Sequence, residues 1–246
     1  MEKEYIVGRN PVIEILKTDR KIEKLYILKG ELKGSINKIM GIAKEKNIAV
    51  QYVNKNKLDK LSNGGVHQGV VALVSPYEYS SIDEIFNRAK ELKEDPFIVL
   101  LDEIEDPHNL GSIVRSAECA GVHGIIIPKR RSATVNNTVV KTSAGATEHI
   151  HISKVTNMTD TIKELKERGL WIYGADMLGE NYYFNTDMKG PVGLVIGNEG
   201  KGVSRLVKEN CDFLVRIPTL GNISSLNASN AASIILYEIV RQRHEK

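Results

Sequence analysis

The sequence predicts an α/β protein whose C-terminal half is built on a mainly parallel sheet, preceded by a smaller α/β domain. Two observations carry this. From Phe97 onward, short apolar runs alternate with segments of helical spacing, the pattern left by strands buried on both faces under crossover helices. Residues 1–75 repeat the alternation on a smaller scale, and a polar stretch bracketed by Pro76 and Pro96 separates the two parts.

In the first part, Ile22–Leu28 alternates like a strand, 35–46 has helical spacing, and 48–53 alternates again. A short helix near 57–61 and an apolar strand over 69–74 complete that domain. Residues 76–95 form a linker with a helix at 81–92. The third part, 96–246, predicts strands at 97–101, 124–127, 171–175, 192–196 and 213–217. Its helices are expected after Asn109, near 136–143, at 159–168, and from about Leu226 to Arg241.

Three loops lie where open α/β sheets hold ligands, beyond the carboxyl ends of strands. The first, Asp106-Pro107-His108-Asn109-Leu110-Gly111-Ser112-Ile113-Val114-Arg115, enters a helix whose apolar face is Leu110, Ile113, Val114, Ala117 and Ala120. Asn109 stands where an N-cap is expected, and Arg115 lies on the opposite face beside Gly111, Ser112 and Cys119. A capping Asn and a surface Arg would account for both, but the Asp-Pro turn before them gives the loop a defined shape. The second loop, Gly197-Asn198-Glu199-Gly200-Lys201-Gly202, has three glycines that permit close backbone approach. It matches neither the dinucleotide nor the P-loop glycine pattern. Glu199 reads equally well as a solvated turn residue or as a carboxylate held to orient a donor. In the third loop, Ser224, Ser225 and Asn227 gather at the start of the last helix, and capping needs only one of them. That helix is apolar along Ala228, Ala231, Ala232, Ile235 and Ile239, while Ile234 and Tyr237 occupy another side.

The net charge of +3 is unevenly spread. Residues 1–75 hold 14 Lys and Arg against 8 Asp and Glu, and the remainder 20 against 23. A basic front suits a polyanion, although a solvated lysine-rich surface would look the same. No apolar run approaches the ~18 residues of a membrane span, and the N-terminus lacks a secretory core. Cys119 and Cys211 lie far apart with no metal-binding spacing and read as buried thiols in a reducing cytosol.

Together the three loops resemble the three signature motifs of the SpoU (TrmH-type) RNA 2′-O-ribose methyltransferases, in order and spacing, from Phe97 to Arg243. Gly8-Arg9-Asn10-Pro11-Val12 and His67-Gln68-Gly69-Val70-Val71-Ala72 are similar to the branch that methylates guanosine in bacterial 23S rRNA. The resemblance implies a trefoil-knotted methyltransferase domain at 96–246 and an RNA-binding domain at 1–75 similar to ribosomal protein L30e. It implies Asn109, Arg115, Glu199, Ser225 and Asn227 as catalytic residues. Backbone groups at Gly197, Ile217 and Leu226 would hold S-adenosylmethionine, without a metal. It further implies a cytoplasmic homodimer, joined through the last helix, acting on RNA and not on DNA or membranes. Two positions depart from the family pattern: Asn230 stands where a small apolar residue is usual, and Thr219 replaces a methionine. A tRNA ribose methyltransferase and a non-catalytic ribosome-associated RNA-binding protein are the alternatives.

Overall fold

The computed structural model describes residues 4–18, 20–30, 34–222 and 225–244. Contacts divide the chain into two compact units, one of residues 1–78 with 135–149 and one of 79–134 with 150–246. Strands and helices are numbered in chain order through both.

The first unit holds a four-stranded sheet in the order β1-β4-β2-β3, from β1 (Glu4–Val7), β2 (Ile22–Leu28), β3 (Val50–Val53) and β4 (Val70–Val74). Strand β4 runs antiparallel to β1 and β2, and β2 runs parallel to β3. Every residue of β4 is buried, as its unbroken apolar run requires. Helices α1 (Arg9–Leu16) and α2 (Ser35–Glu45) supply Val12, Leu16, Ile36 and Ile39 to one core. Helix α3 (Lys55–Leu61) supplies Leu58 to the other; it starts two residues before its expected position because Asn54 caps it. The short β1 and α1 escape a periodicity search.

The unit is completed by α6 (Asn137–Thr142) and the 3-10 turn Ala146–Glu148. Periodicity assigns this stretch to the C-terminal half. It packs with the first unit because Val140 is buried among Ile6, Val12 and Leu16, with Val135 packed alongside. Half-buried Arg20 pairs with Glu4 at 2.7 Å and Glu148 at 3.0 Å and donates to the Ser75 carbonyl.

The second unit holds seven strands in the order β7-β6-β5-β10-β8-β11-β9, every neighbouring pair parallel. These are β5 (Phe97–Asp102), β6 (Gly124–Pro128), β7 (His151–Val155), β8 (Trp171–Ala175), β9 (Asn181–Tyr182), β10 (Val192–Gly197) and β11 (Phe213–Arg216). Helices α4 (Ile82–Leu92), α5 (Pro107–Cys119), α7 (Met158–Glu167), α8 (Arg205–Asn210) and α9 (Ala228–His244) belong to it. The central β5 and β10 are buried throughout. The chain steps outward through β6 and β7, returns past β5 to β8, and later inserts β10 between β5 and β8. That reversal is a topological switch point, where ligand crevices form.

Two expectations change here. The linker helix α4 is part of the second unit: a Ser81–Glu84 capping box starts it, and Ile85 packs over Gly124, where a Cβ would approach to 2.5 Å. The cysteines are not both buried. Cys119 is exposed in the last turn of α5 and Cys211 is half-buried; both are free. Burial pushes the Cys211 thiol up to about 12. No helix among the described residues is long and apolar enough to cross a membrane.

Candidate active site

At the carboxyl ends of β8, β10 and β11 and the start of α9 lies a cavity of ≈350 Å³. Its wall includes Gly197, Glu199, Ile217, Thr219, Ser225 and Leu226. The three expected cofactor positions, Gly197, Ile217 and Leu226, therefore line one space.

The second loop folds back on itself to form part of that wall. Asn198 and Gly202 make an isolated bridge, and Asn198 Oδ1 accepts the Gly200 N–H at 2.9 Å. A Cβ on Gly197 would sit inside the backbone of Gly202 and Val203, so only glycine fits this crossing. Asn198 Nδ2 donates to the Glu103 carbonyl at 3.0 Å, fixing this loop to the one after β5. The buried Asp102 accepts the Ser204 N–H at 2.7 Å and holds the far end of the loop.

Asn109 is not the N-cap of α5. Asp106 is, accepting the His108 N–H at 2.9 Å, with Pro107 in the first turn. Asn109, buried at 9 % exposure, is thereby left to act across the site. Its amide donates to the Glu199 carboxylate, and its carbonyl oxygen accepts from Asn227 Nδ2 at 2.9 Å. One residue from each loop thus meets in a single hydrogen-bonded chain. Asn227 also organises α9, its Oδ1 accepting the Ser229 N–H at 2.9 Å and the Ser229 hydroxyl at 2.6 Å. Glu199 is therefore an oriented carboxylate at the cavity wall.

Arg115 is elsewhere. It is exposed on α5 and does not line the cavity. It lies six positions after Asn109, about 9 Å along the helix axis. Ser224 lies outside the described residues. Of the two departures from the family pattern, Thr219 lines the cavity and Asn230 is exposed on α9.

Sequence reasoning missed Asp102, Asn198 and the pair Asp176–Lys208. Asp176 and Lys208 both line the cavity and form an ion pair at 2.5 Å. Asp102 had a signal, a carboxylate ending an apolar strand. Lys208 had none, because it reaches the cavity from α8 across the fold. Among the described residues, no group of three or more His, Cys, Asp or Glu could hold a metal ion.

A parallel sheet with a glycine-crossed cavity at its switch point, and an amide–carboxylate chain on the cavity wall, defines a ligand-binding enzyme of the α/β class. Comparison with known proteins narrows the class. The SpoU rRNA methylase family model matches residues 96–237, and the RNA 2′-O ribose methyltransferase substrate-binding model matches 5–80. A TrmH family tRNA/rRNA methyltransferase of Bacillus subtilis is 49 % identical over 243 residues, covering 99 % of this chain and 97 % of that protein. The AdoMet complex of the SpoU methyltransferase AviRb from Streptomyces viridochromogenes superposes with a TM-score of 0.83 at 28 % identity, covering 99 % of this chain and 92 % of that one. An AdoMet-bound rRNA methyltransferase from Sinorhizobium meliloti gives 0.79 at 26 %, covering 97 % and 87 %. The chain belongs to the SpoU family of RNA methyltransferases, enzymes that use S-adenosylmethionine as methyl donor.

Proposed function

We propose that the chain methylates a ribose 2′-hydroxyl of ribosomal RNA, a guanosine of 23S rRNA, as a cytoplasmic homodimer. The observation that carries the reading is the meeting of Asn109, Glu199 and Asn227 at the cavity. A volume of ≈350 Å³ falls in the range of small-molecule sites, and the bare backbone at Gly197 suits a ligand pressed against it. Gly197, Ile217 and Leu226 would hold S-adenosylmethionine, which supplies an already activated methyl group. What remains for the protein is alignment and handling of the hydroxyl proton. Alignment can contribute about 7–11 kcal/mol. Glu199, oriented by Asn109, is the acceptor we assign to that proton, and Ser225 and Asn227 position the substrate. We assign Arg115 to the target phosphate and to the developing alkoxide charge, because a guanidinium is a poor base and a strong anion ligand.

Ribosomal RNA is favoured by the basic first unit, which carries the substrate-binding match. A cleft there is lined by Lys29, Tyr52, Lys57 and Lys60, with Tyr52 45 % exposed. That is the aromatic and cationic pairing that takes unstacked RNA bases. The homodimer is supported by the second side of α9, where Tyr237 is 51 % exposed. Arg115, outside the cavity of its own chain, would act toward the partner's. The family's trefoil knot is supported by the insertion of β10 between β5 and β8.

The test is ribose-methylation mapping of 23S rRNA from a strain lacking this protein, before and after incubation with purified protein and S-adenosylmethionine. One guanosine should gain a 2′-O-methyl group. Methylation confined to tRNA would move the substrate, and no affinity for the donor in calorimetry would overturn the enzyme reading. Arg115→Ala should abolish turnover while donor affinity persists.

A further inference from the structure

Resting on the RNA methyltransferase reading, we propose that Lys129, Arg130 and Arg131 form a clamp for the RNA backbone. The clamp would hold the phosphates flanking the target nucleotide while the cavity holds the methyl donor. Residues 76–246 carry a net charge of −3, yet an RNA strand must come to rest on them. Lys129-Arg130-Arg131 is the one run of three consecutive basic residues in the sequence, and all three are exposed.

Its position in the fold gives the run its meaning. It follows β6, which lies beside β5 and parallel to it, as β5 does to β10. The basic run therefore sits on the same edge of the sheet as the loops bearing Asn109 and Glu199. The loop is also pinned. Lys129 N–H donates to the Val155 carbonyl at 2.8 Å, Ala133 N–H to the Ile104 carbonyl at 2.8 Å, and the Ser132 hydroxyl to that same carbonyl at 3.3 Å. Arg131 takes the left-handed backbone region at φ 54°, and its side chain is 77 % exposed.

Glu103 joins this loop to the site. Its carboxylate meets Arg131 Nη1 at 3.4 Å, and its carbonyl accepts Asn198 Nδ2, one residue before Glu199. A phosphate docked on the arginines is thereby indexed to the carboxylate that faces the hydroxyl. The acids of the β5–α5 loop, Glu103, Glu105 and Asp106, repel a strand laid over that loop and leave the β6 side to it. Two adjacent guanidinium groups suit phosphate oxygens, which they bind through paired N–H donors.

The decisive experiment uses the full chain and a mixed-sequence single-stranded RNA of about 30 nucleotides, with affinity measured against salt. Each phosphate contact contributes about 0.7 to the log–log slope for single strands. The double variant Arg130→Ala/Arg131→Gly should lower the slope by about 1.4 and weaken binding at least about tenfold. Glycine is chosen at position 131 because it adopts positive φ without strain, so the melting temperature should hold or rise. Donor affinity by calorimetry should be unchanged, and Arg131→Lys should recover part of the slope. An unaltered slope overturns the clamp, as does a slope lost together with donor affinity, which would mean that the loop merely supports the cavity. Failure of wild-type protein to bind the donor would overturn the enzyme reading instead, and the two results are read separately.

Discussion

The two ends of the seven-stranded sheet use polar groups in opposite ways. At the amino end they are consumed by backbone. Arg243 donates to the carbonyls of Asp95, Pro96 and Gly190, the last at 2.6 Å, and stacks over Phe97. His123 Nδ1 accepts the Phe97 N–H at 2.9 Å, and Asp212 accepts the Ile172 N–H at 2.8 Å. At the carboxyl end, Asn109, Glu199 and Asn227 satisfy one another across distant loops, and Glu199 stands at a cavity. Helix α9 belongs to both ends, beginning at Asn227 and finishing at the Arg243 clamp. The difference teaches that this sheet keeps stability and chemistry at opposite edges, so each can be removed without the other.

The sharpest way to break that separation is at the carboxyl end. Gly197→Ala forces a Cβ into the Gly202–Val203 backbone, so the second loop must move and the cavity wall with it. Donor affinity should fall by more than about 100-fold, in line with what small misplacements cost at reacting centres. Calorimetry with S-adenosylmethionine measures it, and a variant that binds like wild type would refute the loop's role. Asn109→Ala acts more narrowly, leaving the wall in place and Glu199 unoriented. The expected result is a drop of about 100-fold in kcat with KM for the donor little changed. A raised KM for the donor with kcat unchanged would instead mean that Asn109 only shapes the wall.

Much of the parallel sheet is legible in the sequence because its central strands are buried on both faces and leave continuous apolar runs. The carboxyl-end loops are legible for a related reason: glycine and clustered amides between such runs have few structural uses. The amino end is nearly silent. Arg243 reads as the basic last turn of a helix, and nothing local marks it as a ligand of three carbonyls from segments far away in sequence. The placement of 135–149 in the first unit is silent for the same reason, since a buried Val140 looks identical whichever core receives it. Asn109 is visible in the sequence, but the cap lies three residues before it, because Asp106 accepts the His108 N–H before Asn109 is reached.

The amino end should fail differently. Arg243→Ala removes charge-assisted hydrogen bonds to three carbonyls, each worth about 1.5–3 kcal/mol in favourable cases. Because water replaces part of the loss at this half-buried position, destabilisation of about 2–3 kcal/mol is expected in denaturant titrations. The kcat of the folded variant should stay at the wild-type value. A loss of kcat without loss of stability would show that the two edges are coupled through α9.

The smallest effect sharpens the comparison through pH. His123 is fully buried, and burial pushes its imidazole below the ordinary 6.5; Glu94 opposes the shift, while Arg243 and Arg88 add to it. Its Nδ1 accepts the Phe97 N–H, so the neutral ring carries its proton on Nε2, facing Glu94 Oε2 at 3.2 Å. In the unfolded chain the ring takes up a proton as pH falls through about 6.5, while the folded ring resists. The unfolded state then binds more protons, so stability is full above that value and declines below it, by up to about 1.4 kcal/mol per pH unit. His123→Gln keeps an acceptor for Phe97 and cannot titrate, so it should flatten this part of the stability profile below about pH 6.5. Equal slopes in both proteins would mean that groups outside the amino end control acid sensitivity, and would remove His123 from the stability side of the comparison.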